Sequence, residues 1–382
     1  MKRRDFLSFI AATSMFSNTA YALSNQSDQR ILILIELQGA NDGLNTVIPF
    51  KHSKYKNLRP SLFIKKNDIL TISEFQGLHP SLKGIAELYE KGEVKIVQNL
   101  GYPQPVLSHF RSIELWETGG DGISKGREGW LNKSISSLSL NNDFDGNGIY
   151  LDNSGDIFSN GSGFLGPHAI DYRPDKIEGR DTTIPSADET QSIGLLDKVI
   201  KKRQGDLLRL NRIKEKLNNK KNVRLKGGSL GNQLSRVCEL IGSNISIPVY
   251  KVSIGSFDTH IDQFWRHRQL LREFDEAVSG TVKELKKIGI WNNTVIMTYS
   301  EFGRRAKENG ARGTDHGMAA PHFVIGGSIK GGINGGLPNL DQLQNNDLIY
   351  EIDYRSLYDF ILNKHFNLEG NPFKKFRANE II

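Results

Sequence analysis

Acids and imidazoles recur in this chain where apolar runs stop. Phe257-Asp258-Thr259-His260 follows the run 249–254, and Ser300-Glu301-Phe302-Gly303-Arg304 follows the run 294–299. Gly313-Thr314-Asp315-His316-Gly317 comes next, and Asp42 stands early, in Gln38-Gly39-Ala40-Asn41-Asp42-Gly43-Leu44-Asn45. Carboxylate oxygens with imidazole nitrogens make a donor set for a divalent ion: zinc, manganese, magnesium, iron or calcium. Asp42, Asp258, His260, Glu301, Asp315 and His316 are the candidate ligands. Asp258 and His260 converge on one ion only if the chain curls beyond the strand. An ion there would polarise a phosphoryl or sulfuryl oxygen and activate a serine or a water. Ser108, in Ser108-His109-Phe110-Arg111, is the candidate nucleophile, at the start of a helix where the backbone favours negative charge. Arg304 or Arg111 would hold an anionic oxygen. Each of these residues also has a structural reading: Ser108 as a helix cap, Asn41-Asp42-Gly43 as a plain turn, the acids as loop ties. Their joint recurrence at successive strand ends favours one shared site.

The elements that must carry them are legible. Ile31-Leu32-Ile33-Leu34-Ile35-Glu36-Leu37 reads as a strand buried on both faces. A helix near 82–89 and a strand Val94–Leu100 follow in a βαβ-like rhythm that implies parallel neighbours and a right-handed crossover. A second βαβ unit runs from the strand 249–254 through a long helix, 262–288, to the strand 294–299. That arrangement puts Asp258, His260 and Glu301 at one sheet edge, where open α/β sheets bind ligands. A short strand at 322–326 and a helix at 353–366 complete the pattern. Helices are also expected at 195–217 and 228–243. Residues 118–190 lack sustained periodicity and read as a loop-rich insertion near the site rim. Asp143, Asp145, Asn147 and Asp152 lack the spacing and terminal Glu of a calcium-binding loop and read as solvated.

The chain has 382 residues, 37% of them hydrophobic, and a net charge of +7. That length suits one large α/β domain with elaborations, or two modest ones. The basic residues are scattered, with one cluster at 195–226. Nucleic acid is not an expected partner, whereas an anionic small molecule or surface polymer is. No run is long enough to span a membrane in the mature chain. The single cysteine, Cys238, excludes an internal disulfide and reads as a small buried side chain. The N-terminus, Lys2-Arg3-Arg4-Asp5-Phe6-Leu7, has the paired arginines of a twin-arginine export signal. An apolar stretch and Ala20-Tyr21-Ala22 follow, which predicts cleavage after Ala22. The expected partner is then the twin-arginine translocase, and the expected location periplasmic or otherwise exported.

Taken together, these segments resemble the exported bacterial family called domain of unknown function 1501, which is similar to the alkaline phosphatase and sulfatase superfamily. The resemblance implies an α/β fold with an alkaline-phosphatase-like, mostly parallel sheet sandwiched by helices. It implies a leader at 1–22, a single domain at 23–382 and the insertion at 118–190. By motif position it assigns Asp42, Asp258, His260, Glu301 and His316 to metal binding and Ser108 to nucleophilic attack. Phe302 departs from the superfamily, which has a histidine there, so one metal site loses an imidazole. Asp315 would compensate, or a single ion would bind. Two functions follow as expectations: a metal-dependent hydrolase of phosphate or sulfate esters, or a non-catalytic binding or assembly protein on the same scaffold.

Overall fold

The computed structural model describes residues 29–377, apart from 125, 127, 140–143, 153, 160, 162, 167–204, 206–207 and 219–220. The predicted leader, its cleavage after Ala22, Asp143 and most of the stretch 195–207 lie outside the described residues.

A nine-stranded sheet forms the centre. Its strands are β1 (Ile31–Leu37), β2 (Val94–Gly101), β3 (Gly148–Tyr150), β4 (Phe164–Leu165), β5 (Val249–Ile254), β6 (Thr294–Tyr299), β9 (Ala320–Gly326), β10 (Gly332–Asn334) and β11 (Ile352–Asp353). Between β6 and β9 a separate two-stranded ladder pairs β7 (Gly303–Arg304) with β8 (His316–Gly317). The order across the large sheet is β10-β2-β9-β6-β1-β5-β3-β4, with β11 also on β2. Only β9 runs antiparallel to its neighbours.

β1 is buried along its whole length, as its unbroken apolar run requires, and its side chains alternate between two cores. Ile31, Ile33, Ile35 and Leu37 pack with helices α1 (Lys83–Glu90), α4 (Gly228–Gly242) and α5 (Gln263–Ile288). Leu32 and Leu34 pack with α2 (His109–Thr118), α3 (Trp130–Ser139) and α6 (Arg355–Phe360) on the opposite face. Helices thus cover both faces of a mostly parallel sheet. No described helix is long and apolar enough to cross a membrane.

The register places the site. β1 pairs in parallel with β5 through Leu37 and Ile254, and with β6 through Glu36 and Tyr299. The three strands therefore end level, and the loops carrying Gly39, Asp258 and Glu301 leave one edge side by side. The long helix of the second βαβ unit lies where its periodicity puts it, although β1 threads between the two strands of that unit. The first unit differs more. β1 and β2 run in the same direction but are separated by β6 and β9.

The stretch 118–190 also differs from its sequence reading. Its described part contributes α3, β3 and the edge strand β4, and Asp145, Asn147 and Asp152 are buried rather than solvated. Asp152 accepts from Lys251 Nζ, a fully buried ammonium that also meets Glu36 at 3.0 Å and Glu117 at 3.8 Å. Three carboxylates around one ammonium leave uncompensated negative charge. Burial, together with Glu36, pushes Glu117 up from 4.5 to about 7 against the pull of Lys251. A raised acid binds its proton more tightly in the folded chain, so this contribution is complete below about 4.5 and is lost as pH rises through about 7. Thermal midpoints are expected to fall between pH 5 and pH 8, and Glu117→Gln should flatten that slope. An unchanged slope in the variant would remove Glu117 as its source.

Candidate metal centre

The site lies beyond the carboxyl ends of β1, β5 and β6, and close backbone approach makes it possible. Gly39 has φ +104°, and a Cβ there would meet the Asp258 amide nitrogen at 2.4 Å. Its own N–H donates to Glu301 Oε1 at 2.8 Å. Gly39→Ala is therefore expected to push the Asp258 loop away and to cost about 1–3 kcal/mol in backbone strain. Urea unfolding and metal titration of the variant would both register it.

Three imidazoles surround Asp258. Each is tied at Nδ1 to an oxygen: His109 to Glu301 Oε1 at 2.7 Å, His316 to the Leu107 carbonyl at 2.9 Å, and His260 to Asp315 Oδ1 at 3.2 Å. Those oxygens are acceptors, so each Nδ1 is the donor and each Nε2 faces inward. His109 Nε2 lies 3.5 Å from Asp258 Oδ2, His316 Nε2 3.3 Å from Asp258 Oδ1, and His260 Nε2 3.0 Å from both Asp258 Oδ1 and His316 Nε2. One ligand atom from each of His109, Asp258 and His316 falls within 4.8 Å of the others. His109 Nε2 is buried and has no hydrogen-bond partner.

The charges fit this arrangement. Burial works against the Asp258 carboxylate, but the Arg304 guanidinium and the nearby imidazoles hold its pKa below the usual range. Burial lowers His316, helped by Arg304 and His109, so its Nε2 carries a lone pair at neutral pH. The Glu301 hydrogen bond raises His109. A lone pair facing a carboxylate oxygen needs a cation between them, a proton or a metal ion. The imidazole-to-carboxylate separations of 3.0–3.5 Å are close to the edge of a tetrahedron around an ion at roughly 2.0–2.2 Å. Imidazole-rich sets of this kind suit zinc first, then manganese, and suit calcium or magnesium poorly.

The structure brings Asp258, His260 and His316 together and gives the other predicted residues different work. Asp42 is fully buried and paired with Arg59, Nη1–Oδ2 2.5 Å and Nη2–Oδ1 3.0 Å, and it also accepts from Gln263. Its oxygens are occupied away from the cluster, which corrects its assignment as a ligand. Glu301 keeps a carboxylate at the strand end, yet its oxygens accept from Gly39, His109 and Ser300. Its oxygens are occupied, and through Oε1 it orients the His109 ring. Asp315 accepts from Asn309 and positions His260 in the same way.

Arg304 is buried and spends its donors on the carbonyls of Gly39, Ala40, Phe257 and Thr314 and on Asp258 Oδ1. It therefore pins three loops and cannot also clamp a substrate oxygen. Arg111 pairs with Glu114 at 2.6 Å. Ser108 occupies the N-cap position of α2, but its side chain makes no cap hydrogen bond and is exposed. It sits between Leu107 and His109, both bonded into the cluster.

His109 is the residue the sequence reading missed. Its signal was its place beside Ser108, where a helix start aims the next side chain into the same space. Phe302, standing where an imidazole was expected, packs its ring 5.0 Å from that of His109 and 4.5 Å from that of His316. An imidazole from α2 thus enters the cluster while the Phe302 ring walls it.

A mostly parallel sheet between two helical layers, with acids and imidazoles at its carboxyl edge, defines an α/β protein whose candidate site lies where such sheets bind ligands. Among solved structures, the chain is similar to an alkaline phosphatase superfamily protein from Vibrio parahaemolyticus, at 12% identity and TM-score 0.38, over 81% of this chain and 63% of that one. It is also similar to the PsFucS1 sulfatase from Pseudoalteromonas sp., at 12% identity and TM-score 0.37, over 85% of this chain and 68% of that one. A third is the C-terminal periplasmic domain of EcEptC from Escherichia coli in complex with Zn, at 10% identity and TM-score 0.34, over 79% of this chain and 75% of that one. The chain thus spans less than two thirds of the first of these. No curated protein matches the sequence. Residues 239–374 match the family described as protein of unknown function (DUF1501), the family that the motifs resemble. That segment contains Asp258, His260, Glu301, Asp315 and His316, whereas Ser108 and His109 precede it.

Proposed function

We propose that this protein is a metal-dependent hydrolase of phosphate or sulfate esters, with His109, Asp258 and His316 as metal ligands and His260 as a fourth. The carrying observation is that three imidazoles, each anchored by an oxygen at Nδ1, present Nε2 to one ionised carboxylate. Zinc is the ion that this donor set fits best. When bound, such an ion supplies a Lewis acid for a phosphoryl or sulfuryl oxygen. The chain's own groups do the rest. Glu301 and Asp315 fix the rings of His109 and His260, Arg304 fixes Asp258, and the Phe302 ring excludes water from one side. Ser108, with its uncapped hydroxyl next to His109, is the candidate nucleophile, and its attack on phosphorus or sulfur would displace the alcohol. Twin-arginine export would deliver the folded protein to substrates outside the cytoplasm.

The second reading, a binding or assembly protein on the same scaffold, draws support from Phe302, which leaves donors for one ion where the superfamily resemblance implies two. Elemental analysis of natively purified protein, with turnover of p-nitrophenyl phosphate and p-nitrophenyl sulfate, separates the two readings. The hydrolase requires about one equivalent of metal, turnover of one ester, and loss of both in Asp258→Ala/His316→Ala. Bound metal without turnover on an ester panel, with function surviving Ser108→Ala, would favour the binding protein. Absence of stoichiometric metal would sink the centre itself.

A further inference from the structure

The outward face of α5 carries a feature that the metal centre does not use. Trp265, Arg268 and Arg272 recur at helical spacing on one stripe, beginning five residues after His260. Trp265 is 70% exposed, a large apolar surface left in water, and the Arg268 guanidinium lies 5.5 Å from its ring centroid. The stripe lines a cleft of about 620 Å³ whose other wall includes Lys83 and Pro80. An adjoining cleft of about 480 Å³ shares Pro80, Lys83 and Arg268 and continues over Phe63 and Phe264. The two adjoin through these shared residues and form one trough.

Its charge is unbalanced. Lys83, Arg268 and Arg272 form no ion pair with any described residue. The first cleft carries two acids, Glu276 and Asp275, the latter turned to the Gly84 and Ile85 amides of α1, so three cations face two carboxylates of which only Glu276 is not engaged by those amides. Lys65 and Asp68 in the second cleft offset each other.

We infer that this trough binds an anionic polysaccharide, with a sugar ring stacked on Trp265 and sulfate, phosphate or carboxylate groups held by Arg268, Arg272 and Lys83. An exposed indole offers a flat apolar face for the C–H side of a pyranose. Guanidinium forks match planar or tetrahedral oxyanions in pairs of hydrogen bonds. A concave surface that combines an exposed indole with unpaired cations suits an anionic sugar chain better than the flatter, drier patch that a protein partner would need. The inference rests on the hydrolase reading, because it supplies that reaction's ester as a group along a sugar polymer; binding itself needs none of the metal ligands.

The test is affinity electrophoresis and tryptophan-fluorescence titration of the whole protein with dextran sulfate, neutral dextran and polyphosphate. Dextran sulfate is expected to retard the protein and change its emission, more weakly as salt rises, while neutral dextran does neither. Trp265→Ala, with an unchanged unfolding midpoint, should weaken dextran sulfate binding by about tenfold, the equivalent of one stacked contact. Arg268→Gln/Arg272→Gln should abolish retardation. Asp258→Ala should bind as the parent does, whatever its turnover, so failure of the metal centre and failure of the trough are distinguishable. Polyphosphate binding as tightly as dextran sulfate, with Trp265→Ala neutral, would overturn the sugar-stacking role. Unchanged retardation in the double arginine variant would overturn the trough as the site. So would concentration-dependent self-association that Trp265→Ala abolishes, with no polymer bound.

Discussion

Arg59→Ala is expected to cost about 3–5 kcal/mol of folding stability, because it strands a carboxylate in the interior. Asp42 and Arg59 both have fully buried side chains, and their contact is bidentate. Arg59 also donates to the Ala306 and Arg305 carbonyls at 2.7 and 2.9 Å, so its removal orphans those acceptors as well. Water cannot readily reach the Asp42 oxygens, and Gln263 alone cannot satisfy them. The double substitution Asp42→Asn/Arg59→Met is expected to be less damaging than Arg59→Ala alone, since no buried charge remains. Urea unfolding of the three proteins reads this directly. A loss below about 1 kcal/mol in Arg59→Ala would place the pair among contacts of the exposed kind.

His109→Ala is expected to lower divalent-metal affinity by more than about a hundredfold, and Glu301→Gln by about 10- to 100-fold. The first removes a ligand; the second weakens the hydrogen bond that fixes the ring and its tautomer. Competition against a chromophoric chelator measures both. Because, among the four cluster residues described, Glu301 bonds to His109 alone, the double variant should be little worse than His109→Ala alone. Parental affinity in His109→Ala would mean that the imidazole merely lines the site.

Much of this arrangement was legible in the residues. The β-branched runs marked β1, β5 and β6, and acids and histidines at their ends marked the edge where the cluster forms. What stayed hidden was partnership. Nothing in Asn41-Asp42-Gly43 reveals that Arg59 folds back onto Asp42, so a buried ion pair looked like a free ligand. Arg304 looked available for an anion because its acceptors are mostly backbone carbonyls, a type of group present at every residue. The direction of β9 was hidden for a related reason: a strand buried on both faces reads as apolar whichever way it runs. His109 carries no separate mark in the residues, because the serine hydroxyl before it offers the more familiar chemistry, although both emerge from the same helix start.

The place of β1 at the heart of the sheet has a consequence for how the protein is made. Its pairing partners, β5 and β6, are encoded more than 200 residues later. A ribosome that has finished the first half of the chain has produced a seven-residue apolar strand with neither of its neighbours. Such a strand is an aggregation hazard while it waits, and contacts of this sequence separation make folding slow. The proposed metal centre inherits the same delay, since His109 cannot meet Asp258 and His316 until the last quarter of the chain is available. Newly made protein should therefore need a holding chaperone, and acquisition of metal should mark completed synthesis and not precede it.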